Sequence, residues 1–376
     1  MSSFLDSWED QFLFSKYPEF MNGKDSSDTS DMAFAEGGYG PEIIASETMR
    51  GAPVAAVTGA TLFLPEEVPM EQLDYLEEKF GLEKPDTVEF DLQDPDSYTE
   101  LLNSLPSGSL QVMHPYPELQ EEVYANSQEL LEYLNNKKNL PELAPNTPHQ
   151  EEVSAGELLE KGLSEEMVVK KHSGAAGDGV KITDQTSELE EFLEPGEQVL
   201  LQEKVHASSN YGIQYFIKDG EPEFVGYNEQ STTEDGAFLG VICDLDGKPP
   251  EHLEQFGQEL AENIAETGYE GFAGIDILEK DGELYAIDPN IRITASTPAF
   301  MMQEGLKQEF GEYVNLSGLE VEAESYGEVI EKLEELGAAP YCGSGQHGGS
   351  YEVFAVTGGK TVEKAESNMQ KVQETI

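Results

Sequence analysis

The chain has 376 residues, of which 76 are acidic and 21 basic, so its formal net charge at pH 7 is -55. This charge argues against nucleic acid or an anionic membrane as a partner, because their phosphate groups would repel the protein. Apolar residues make up 38% of the chain, which favours a folded protein with a salt-adapted acidic surface over an acidic disordered chain. We therefore expect a halophilic source and poor folding at low ionic strength.

The cysteine content and the N-terminus predict a cytoplasmic protein. The only cysteines are Cys243 and Cys342. The N-terminal residues mix apolar and acidic side chains without a basic start, so no signal peptide is predicted. No apolar run approaches the roughly 18 residues that cross a bilayer. We expect both thiols to be reduced and buried, although two cysteines could also form a disulfide.

The N-terminal third of the chain alternates short strands with helices. Residues 1–45 are interpreted as an N-terminal extension that is partly loose, because residues 24–31 are polar and rich in turn formers. The predicted elements that follow are strands at residues 53–58, 87–90 and 110–113, and a helix at residues 70–80 that ends at Gly81. Such alternation is typical of a small parallel α/β domain, which we assign to residues 46–126.

The rest of the chain has an α+β pattern. We divide it into residues 127–202, which contain a small lid, and a C-terminal subdomain of residues 203–376. Helices are predicted at residues 127–134, 158–163, 187–193, 253–267, 326–336 and 361–375. Strands are predicted at residues 166–170, 180–183, 198–202, 211–217, 222–227 and 350–357. The glycine-rich segment 341–349 is interpreted as a connection between a helix and a strand, and closure over an acceptor substrate is the alternative.

The most informative segment is a predicted hairpin that turns at Asp281-Gly282. Its first strand carries Asp276, and its second strand ends in Asp288-x-Asn290-x-Arg292. Residues two apart on a strand share a face, so the second strand can direct all three side chains into one cleft. Two carboxylates and an amide oxygen suit Mg²⁺, which commonly binds such groups together with nucleotide phosphates. The alternative is an ordinary hairpin with a solvated charged face.

A glycine-rich loop lies between two predicted strands. It contains Gly174, Gly177 and Gly179, and Lys170 ends the strand before it. Glycines allow backbone N–H groups to wrap phosphate oxygens, and the lysine would add a positive charge. The loop is not a Walker A motif, and a strand follows where a Rossmann fingerprint requires a helix. A flexible turn is the alternative interpretation.

Two further segments have features of a nucleotide site. Lys137 and Lys138 are adjacent in a chain that has few cations, and they precede a segment punctuated by prolines. A solvated helix end would account for them equally well. The predicted strand at residues 198–202 leads into the polar segment Gln202–His206, whose exposed backbone could recognise an adenine edge. Glu203 would accept a hydrogen bond from the exocyclic amine.

The order of lysine, glycine hairpin and carboxylate hairpin resembles the ATP-grasp superfamily over residues 127–298. In this resemblance Lys137 and Lys170 match the two phosphate lysines, and the glycine loop matches the mobile lid loop. The hinge that holds adenine corresponds to Gln202, Glu203, Lys204, Val205 and His206. The metal site corresponds to Asp276, Asp288 and Asn290, followed by Arg292. His172 would touch phosphate from within the lid.

The resemblance implies a fold, a reaction and its cofactors. The expected fold class is α/β and α+β, with an N-terminal α/β domain, a small lid subdomain and a C-terminal ATP-grasp subdomain. ATP with Mg²⁺ or Mn²⁺ would phosphorylate a carboxylate, and the amine of an amino acid or peptide would displace the phosphate to leave an amide. Arg292 and Lys170 would be the catalytic residues. These partners are small molecules, and a homodimer is possible.

The chain departs from the pattern of the superfamily at several positions. The segment Asn210-Tyr-Gly212 occupies the region where many members have an acidic ribose-binding residue. Asn228 and Gln230 occupy strand positions where an additional cation is common, and both metal acids are aspartates. Two alternatives therefore stay open. One is a different ATP-grasp reaction, either phosphotransfer or carboxylation, and the other is a nucleotide-binding regulator without catalysis.

Overall fold

A computed structural model describes residues 7–16, 41–172, 179–194, 196–232 and 238–376. Within these ranges the chain forms one parallel and two antiparallel sheets with helices packed against them. The predicted fold class is therefore confirmed. The predicted limits of the domains stay a proposal, apart from the N-terminal boundary described next.

The N-terminal sheet has four parallel strands in the order β3-β2-β1-β4. Its elements are β1 (Phe12–Phe14), α1 (Pro41–Met49), α2 (Gly51–Thr58), β2 (Thr61–Pro65), α3 (Glu71–Phe80), β3 (Thr87–Phe90), α4 (Pro95–Asn103) and β4 (Leu110–Val112). Because β1 pairs with both β2 and β4, residues 12–14 lie inside this sheet. Their assignment to an extension outside the domain was wrong. The expected loose segment, residues 24–31, lies outside the described residues.

One predicted strand in this region is a helix. Residues 53–58 belong to α2, which ends at Gly59 with a left-handed φ of 78°. Periodicity alone does not separate a short buried strand from a short buried helix. Here every residue from Gly51 to Ala55 is buried, so no polar position marks a helical period. Tertiary packing on both sides decided the conformation.

The second sheet is antiparallel, with the order β5-β8-β6-β7 and a small hydrophobic core of its own. It follows α5 (Gln128–Asn135), a 3-10 helix (Lys137–Asn139) and α6 (Leu140–Leu143). Its elements are β5 (Gln150–Ser154), α7 (Ala155–Lys161), β6 (Met167–Lys170), β7 (Val180–Thr183), α8 (Thr186–Phe192) and β8 (Gln198–Glu203). The predicted N-cap of α5 is present, since the Ser127 hydroxyl accepts from the Leu130 amide at 3.2 Å.

The third sheet has eight strands in the order β13-β12-β9-β10-β11-β14-β16-β15. Its strands are β9 (Ser209–Lys218), β10 (Glu221–Thr232), β11 (Phe238–Asp244), β12 (Gly271–Lys280), β13 (Glu283–Asn290), β14 (Tyr313–Glu322), β15 (Ala339–His347) and β16 (Ser350–Gly359). The accompanying helices are α9 (Glu251–Ala265), α10 (Thr297–Met301), α11 (Gln303–Phe310), α12 (Tyr326–Glu335) and α13 (Val362–Gln373). Residues 341–347 are thus part of β15, and their interpretation as a connection was wrong because pairing with β16 holds them extended.

The parallel sheet and the eight-stranded sheet share one hydrophobic core. The single tryptophan, Trp8, packs edge-on against Phe216 and Phe272 of the large sheet, at centroid distances of 5.8 and 5.5 Å. Both cysteines are free thiols buried in this core. No helix in the described ranges is long and apolar enough to span a membrane.

Candidate active site

The carboxylate hairpin forms as the sequence predicts. Strands β12 and β13 pair antiparallel, with Asp276 opposite Asp288 and Gly274 opposite Asn290. The turn places Asp281 and Gly282 at φ values of 54° and 83°, the left-handed region that Asp-Gly tolerates. Two carboxylates therefore lie side by side on neighbouring strands. We call Asp276 and Asp288 the aspartate pair.

Asp276 is held by two amide groups. The Gln230 amide donates to its Oδ1 at 2.6 Å, and the Asn290 amide donates to its Oδ2 at 3.1 Å. Burial raises the pKa of Asp276, and the neighbouring charge of Asp288 raises it further. Gln230 lies on β10, which is separated from β12 by β9, at a position where the sequence lacks the expected cation. Its amide stabilises the ionised carboxylate instead.

Asp288 forms an ion pair with Lys137 across 151 residues of sequence. The Lys137 ammonium lies 2.6 Å from both carboxylate oxygens. The lysine side chain is only 6% exposed, whereas that of Asp288 is 27% exposed. Gln150 of β5 donates to the Lys137 carbonyl at 3.1 Å, so the lid sheet fixes the backbone that carries this ammonium.

Lys170 reaches the same place from the end of β6. Its buried ammonium donates to the Ile287 carbonyl at 2.8 Å, one residue before Asp288. Burial lowers the pKa of Lys170 to about 8, opposed by the charge of Asp288 and assisted by that of Lys137. Lys137 and Lys170, which come from separate segments, thus both contact β13, the second strand of the carboxylate hairpin.

Arg292 lies just beyond this cluster and is 9% exposed. Its guanidinium donates to the Asn135 side-chain oxygen at 3.5 Å, and the same oxygen accepts from the Ile291 amide at 3.0 Å. Asn135, the last residue of α5, therefore ties the arginine to the helix that precedes Lys137. Arg292 also lies within electrostatic range of Asp276.

A buried polar network supports the loop that follows Arg292. The Ser296 hydroxyl accepts from the Gln214 amide at 2.5 Å and from the Asn228 amide at 2.8 Å. The Thr297 hydroxyl accepts from the Thr294 amide at 2.8 Å. Sequence reasoning noted Asn228 as a departure from the superfamily pattern, and it did not include Gln214. No local signal identifies Gln214, since the network joins two strands to a distant loop.

The N-terminal domain contributes charged groups opposite Arg292 that sequence reasoning also missed. Arg50 pairs with Glu47 at 2.6 Å, and its guanidinium stacks 4.0 Å above the Phe354 ring. Burial raises the pKa of Glu47 against the opposing charges of Arg50 and Arg292. Burial and the charges of Arg292 and Lys137 hold the pKa of His114 well below its usual value, so its imidazole is neutral at pH 7.

The predicted adenine hinge includes the end of β8. The Gln202 amide donates to Gln150 at 2.9 Å, and the Glu203 backbone amide donates to the His149 carbonyl at 2.9 Å. Lys204 forms an ion pair with Glu166 at 2.9 Å. Val205 is half-buried and His206 is exposed. Because Gln150 also donates to the Lys137 carbonyl, it connects the hinge to the first of the predicted phosphate lysines.

The predicted glycine loop is described only at its ends. Gly179 has a left-handed φ of 82°, and its carbonyl accepts from the Lys171 amide at 2.7 Å. His172 lies 3.1 Å from Glu152. Gly174 and Gly177 lie outside the described residues.

The donor set fits a divalent ion that shares its ligands with a nucleotide. The described residues contain no group of three or more His, Cys, Asp or Glu side chains that could hold a metal by themselves. The aspartate pair would therefore need further oxygen ligands, and Mg²⁺ commonly takes these from substrate phosphates and water. Asn290 bonds Asp276 through its amide nitrogen, so its side-chain oxygen is not committed to that contact.

A buried acceptor atom on the face of the aspartate pair also favours a nucleotide ligand. Asn210 lies on β9, two residues before Gly212, which is the register partner of Asp276, so both share the face of the aspartate pair. Its side-chain oxygen is buried without a hydrogen-bond partner among the described residues. A buried acceptor without a donor is costly, so a ligand hydroxyl is a suitable partner.

Comparisons with known proteins agree with this geometry. Residues 148–290 match the family model described as L-aspartate–L-methionine ligase, ATP grasp. An L-amino acid ligase from Bacillus licheniformis superposes with a TM-score of 0.57 at 16% identity, covering 97% of both chains. N5-carboxyaminoimidazole synthetase from Staphylococcus aureus in complex with ADP gives a TM-score of 0.62 at 10% identity, covering 96% of this chain and 97% of that one.

A third similar structure contains both a nucleotide and a second ligand. It is N5-carboxyaminoimidazole synthase from Aspergillus clavatus in complex with ADP and 5-aminoimidazole ribonucleotide. Its TM-score is 0.59 at 11% identity, and the match covers 98% of this chain and 99% of that one. These structures share their fold with this chain, and residues 148–290 are similar to an ATP-grasp family model.

Proposed function

We propose that the protein is an ATP-dependent ligase that forms an amide bond between a carboxylate and the amine of an amino acid or peptide. The observation that carries this proposal is the convergence of Lys137 and Lys170 on Asp288 of the aspartate pair. Such a cluster can hold a triphosphate and a divalent ion against an acceptor substrate. The similarity to the amino acid ligases supports amide formation as the outcome.

The reaction would proceed in two steps. A carboxylate oxygen of the first substrate attacks the γ-phosphorus of ATP, and the bond to the β-γ bridging oxygen breaks to release ADP. The amine of the second substrate then attacks the acylphosphate carbon and loses a proton, and phosphate leaves. ADP, phosphate and an amide are the products.

The cluster residues have separate roles in these steps. A divalent ion, Mg²⁺ or Mn²⁺, held by Asp276, Asp288 and Asn290, would neutralise phosphate charge. Lys137 and Lys170 bind the transferring phosphoryl oxygens. Arg292 orients the carboxylate through two parallel hydrogen bonds and stabilises the oxyanion that forms when the amine attacks.

The nucleotide would extend from the lysines to the hinge. We propose that adenine binds the segment from Gln202 to His206, with His172 and the loop containing Gly174, Gly177 and Gly179 covering the phosphates. Asn210 takes the place of the usual ribose acid, and its buried oxygen would accept from a ribose hydroxyl.

We propose an acidic amino acid as the carboxylate substrate. Arg292 can hold the reacting carboxylate through two parallel hydrogen bonds. The charges of Arg50 and Arg292 both act on Glu47, so the two arginines lie within electrostatic range of one another's site. This pair of guanidinium groups favours a substrate with a second carboxylate. The name of the matched family, which includes aspartate and methionine, supports this choice.

The proposal is tested by measuring ADP and phosphate release from the purified protein in molar KCl with Mg-ATP. We expect release that depends on an amino acid pool, with L-aspartate and L-methionine as the first pair, and an amide product of matching mass. Bicarbonate with 5-aminoimidazole ribonucleotide tests the carboxylation alternative suggested by the structural neighbours. Tight Mg-ATP binding without turnover in either assay would favour a regulator.

We also propose that the protein works in a salt-rich cytoplasm. A net charge of -55 destabilises the folded state by self-repulsion, which molar salt screens because the Debye length falls to roughly 3 Å. Lowering KCl from about 3 M to about 0.1 M should reduce Tm by on the order of 10 °C or more. Sucrose in place of KCl is the control, since it does not screen charge. An unchanged Tm across the KCl series would contradict halophilic adaptation.

A further inference from the structure

Each carboxylate oxygen of the aspartate pair already accepts a hydrogen bond from a nitrogen donor of the protein. The two oxygens of Asp276 accept from Gln230 at 2.6 Å and from Asn290 at 3.1 Å. Both oxygens of Asp288 accept from the Lys137 ammonium at 2.6 Å. Each carboxylate oxygen of the predicted metal site thus has one donor, and the charge of that donor decides whether a metal ion can share the oxygen.

The donors on the two aspartates differ in kind. Gln230 and Asn290 are neutral amides, and a carboxylate oxygen that accepts from an amide can bind a cation as well. The Asp288 side chain is 27% exposed, whereas that of Lys137, whose positive charge neutralises Asp288, is only 6% exposed. A divalent ion placed beside it would be repelled at short range, where little water screens the charges. Lys137 is therefore the group that decides whether metal enters.

We propose that Lys137 is an internal counter-ion that keeps free divalent metal out of the site until nucleotide arrives. Nucleotide phosphates offer the ammonium another anionic partner, and its departure uncovers both oxygens of Asp288. The same phosphates supply the oxygen ligands that the described protein residues lack. This inference rests on the proposed nucleotide site, but it does not depend on which substrates are joined.

The local structure allows this exchange without rearrangement of the backbone. The Lys137 carbonyl is held by Gln150, so the 3-10 helix stays in place while the flexible side chain moves. Lys170 bonds to the Ile287 carbonyl rather than to a carboxylate, and it can meet the phosphates without first breaking an ion pair. By linkage, nucleotide must increase metal affinity by the same factor by which metal increases nucleotide affinity.

The test measures Mn²⁺ binding directly, by titration calorimetry and by loss of the free-ion electron paramagnetic resonance signal in molar KCl. Wild type should bind Mn²⁺ weakly alone and at least about tenfold more tightly with a non-hydrolysable ATP analogue, a difference of ~1.4 kcal/mol. Lys137→Gln should bind Mn²⁺ about tenfold more tightly than wild type without nucleotide. Lys138→Gln is the matched control, because Lys138 is adjacent, 50% exposed and paired with Glu152 instead.

Two further variants locate the bound ion and guard against misfolding. Adding Asp288→Asn to Lys137→Gln should abolish the gain, which separates this site from weak binding to the acidic surface. Lys137→Met removes the same charge with a different shape and should reproduce the gain. Circular dichroism confirms that each variant is folded.

Three results would overturn the inference. Wild type that binds Mn²⁺ equally well with and without nucleotide would show that Lys137 excludes nothing. Folded Lys137→Gln and Lys137→Met with wild-type affinity for free Mn²⁺ would show the same. Failure to bind Mn²⁺ even with the analogue would overturn the proposed metal site and this inference together, whereas saturable binding without ligase activity would contradict only the proposed function.

Discussion

Asp288→Asn is expected to lower kcat/KM by about 10³-fold or more, because it removes the carboxylate that Lys137 and the divalent ion both use. Asparagine keeps the size of the side chain and one oxygen, so the protein should still fold. The loss should appear mainly in kcat, since the charge is needed most when the phosphoryl group transfers. Steady-state ADP release with the amino acid pool measures this.

The matched control for this variant is Asp281→Asn in the turn of the same hairpin. Asp281 is exposed at a φ of 54°, a conformation that asparagine adopts readily, and it lies away from the cluster. It should retain activity close to wild type. Undiminished turnover in Asp288→Asn would show that Asp288 is not part of the active site, regardless of the similarity in fold.

Arg292→Lys is expected to lower kcat/KM for the carboxylate substrate by about 10²-fold, although the positive charge is retained. A lysine lacks the planar fork that bonds both oxygens of a carboxylate. It also has too few donors in a fixed geometry to keep the bond to the Asn135 side chain and bind both oxygens of a substrate carboxylate at once. The KM for ATP should change little, because the structure places Lys137 and Lys170, rather than Arg292, beside Asp288.

A binding titration with Mg-ATP separates the two possible causes of a loss in Arg292→Lys. Unchanged nucleotide affinity with reduced turnover supports a role in orienting the carboxylate and the oxyanion. A parallel loss of nucleotide affinity would assign Arg292 to the phosphates instead. Full activity in Arg292→Lys would show that charge alone is sufficient.

The carboxylate hairpin was predictable from the sequence because the signals that form it are local. Asp-Gly is one of the few pairs that accept left-handed φ values, and strand alternation then places Asp276 opposite Asp288. The caps of α3 and α5 were predictable for the same reason, since Gly81 and Ser127 act on backbone groups within a few residues. Each of these signals is complete within one short segment.

Buried segments without polar positions were predicted poorly. Residues 53–58 form a helix and residues 341–347 a strand because of what packs on them, not because of their own period. The three residues of β1 appeared to belong to an extension, since a strand this short gains its stability only from the neighbours on either side. Sequence patterns do not report such neighbours.

The sequence alone therefore determined the acidic character of the chain, the hairpin and the residue types from which a metal and phosphate site is proposed. The tertiary structure alone decided that Lys137 and Lys170 meet at Asp288, that Gln230 and Asn290 hold Asp276, and that Glu47, Arg50 and His114 face Arg292. The physical reason is distance along the chain. The Gln230–Asp276 and Lys137–Asp288 contacts join groups that are 46 and 151 residues apart. Such contacts depend on how the strands and sheets pack, and short-range propensities carry no information about that packing.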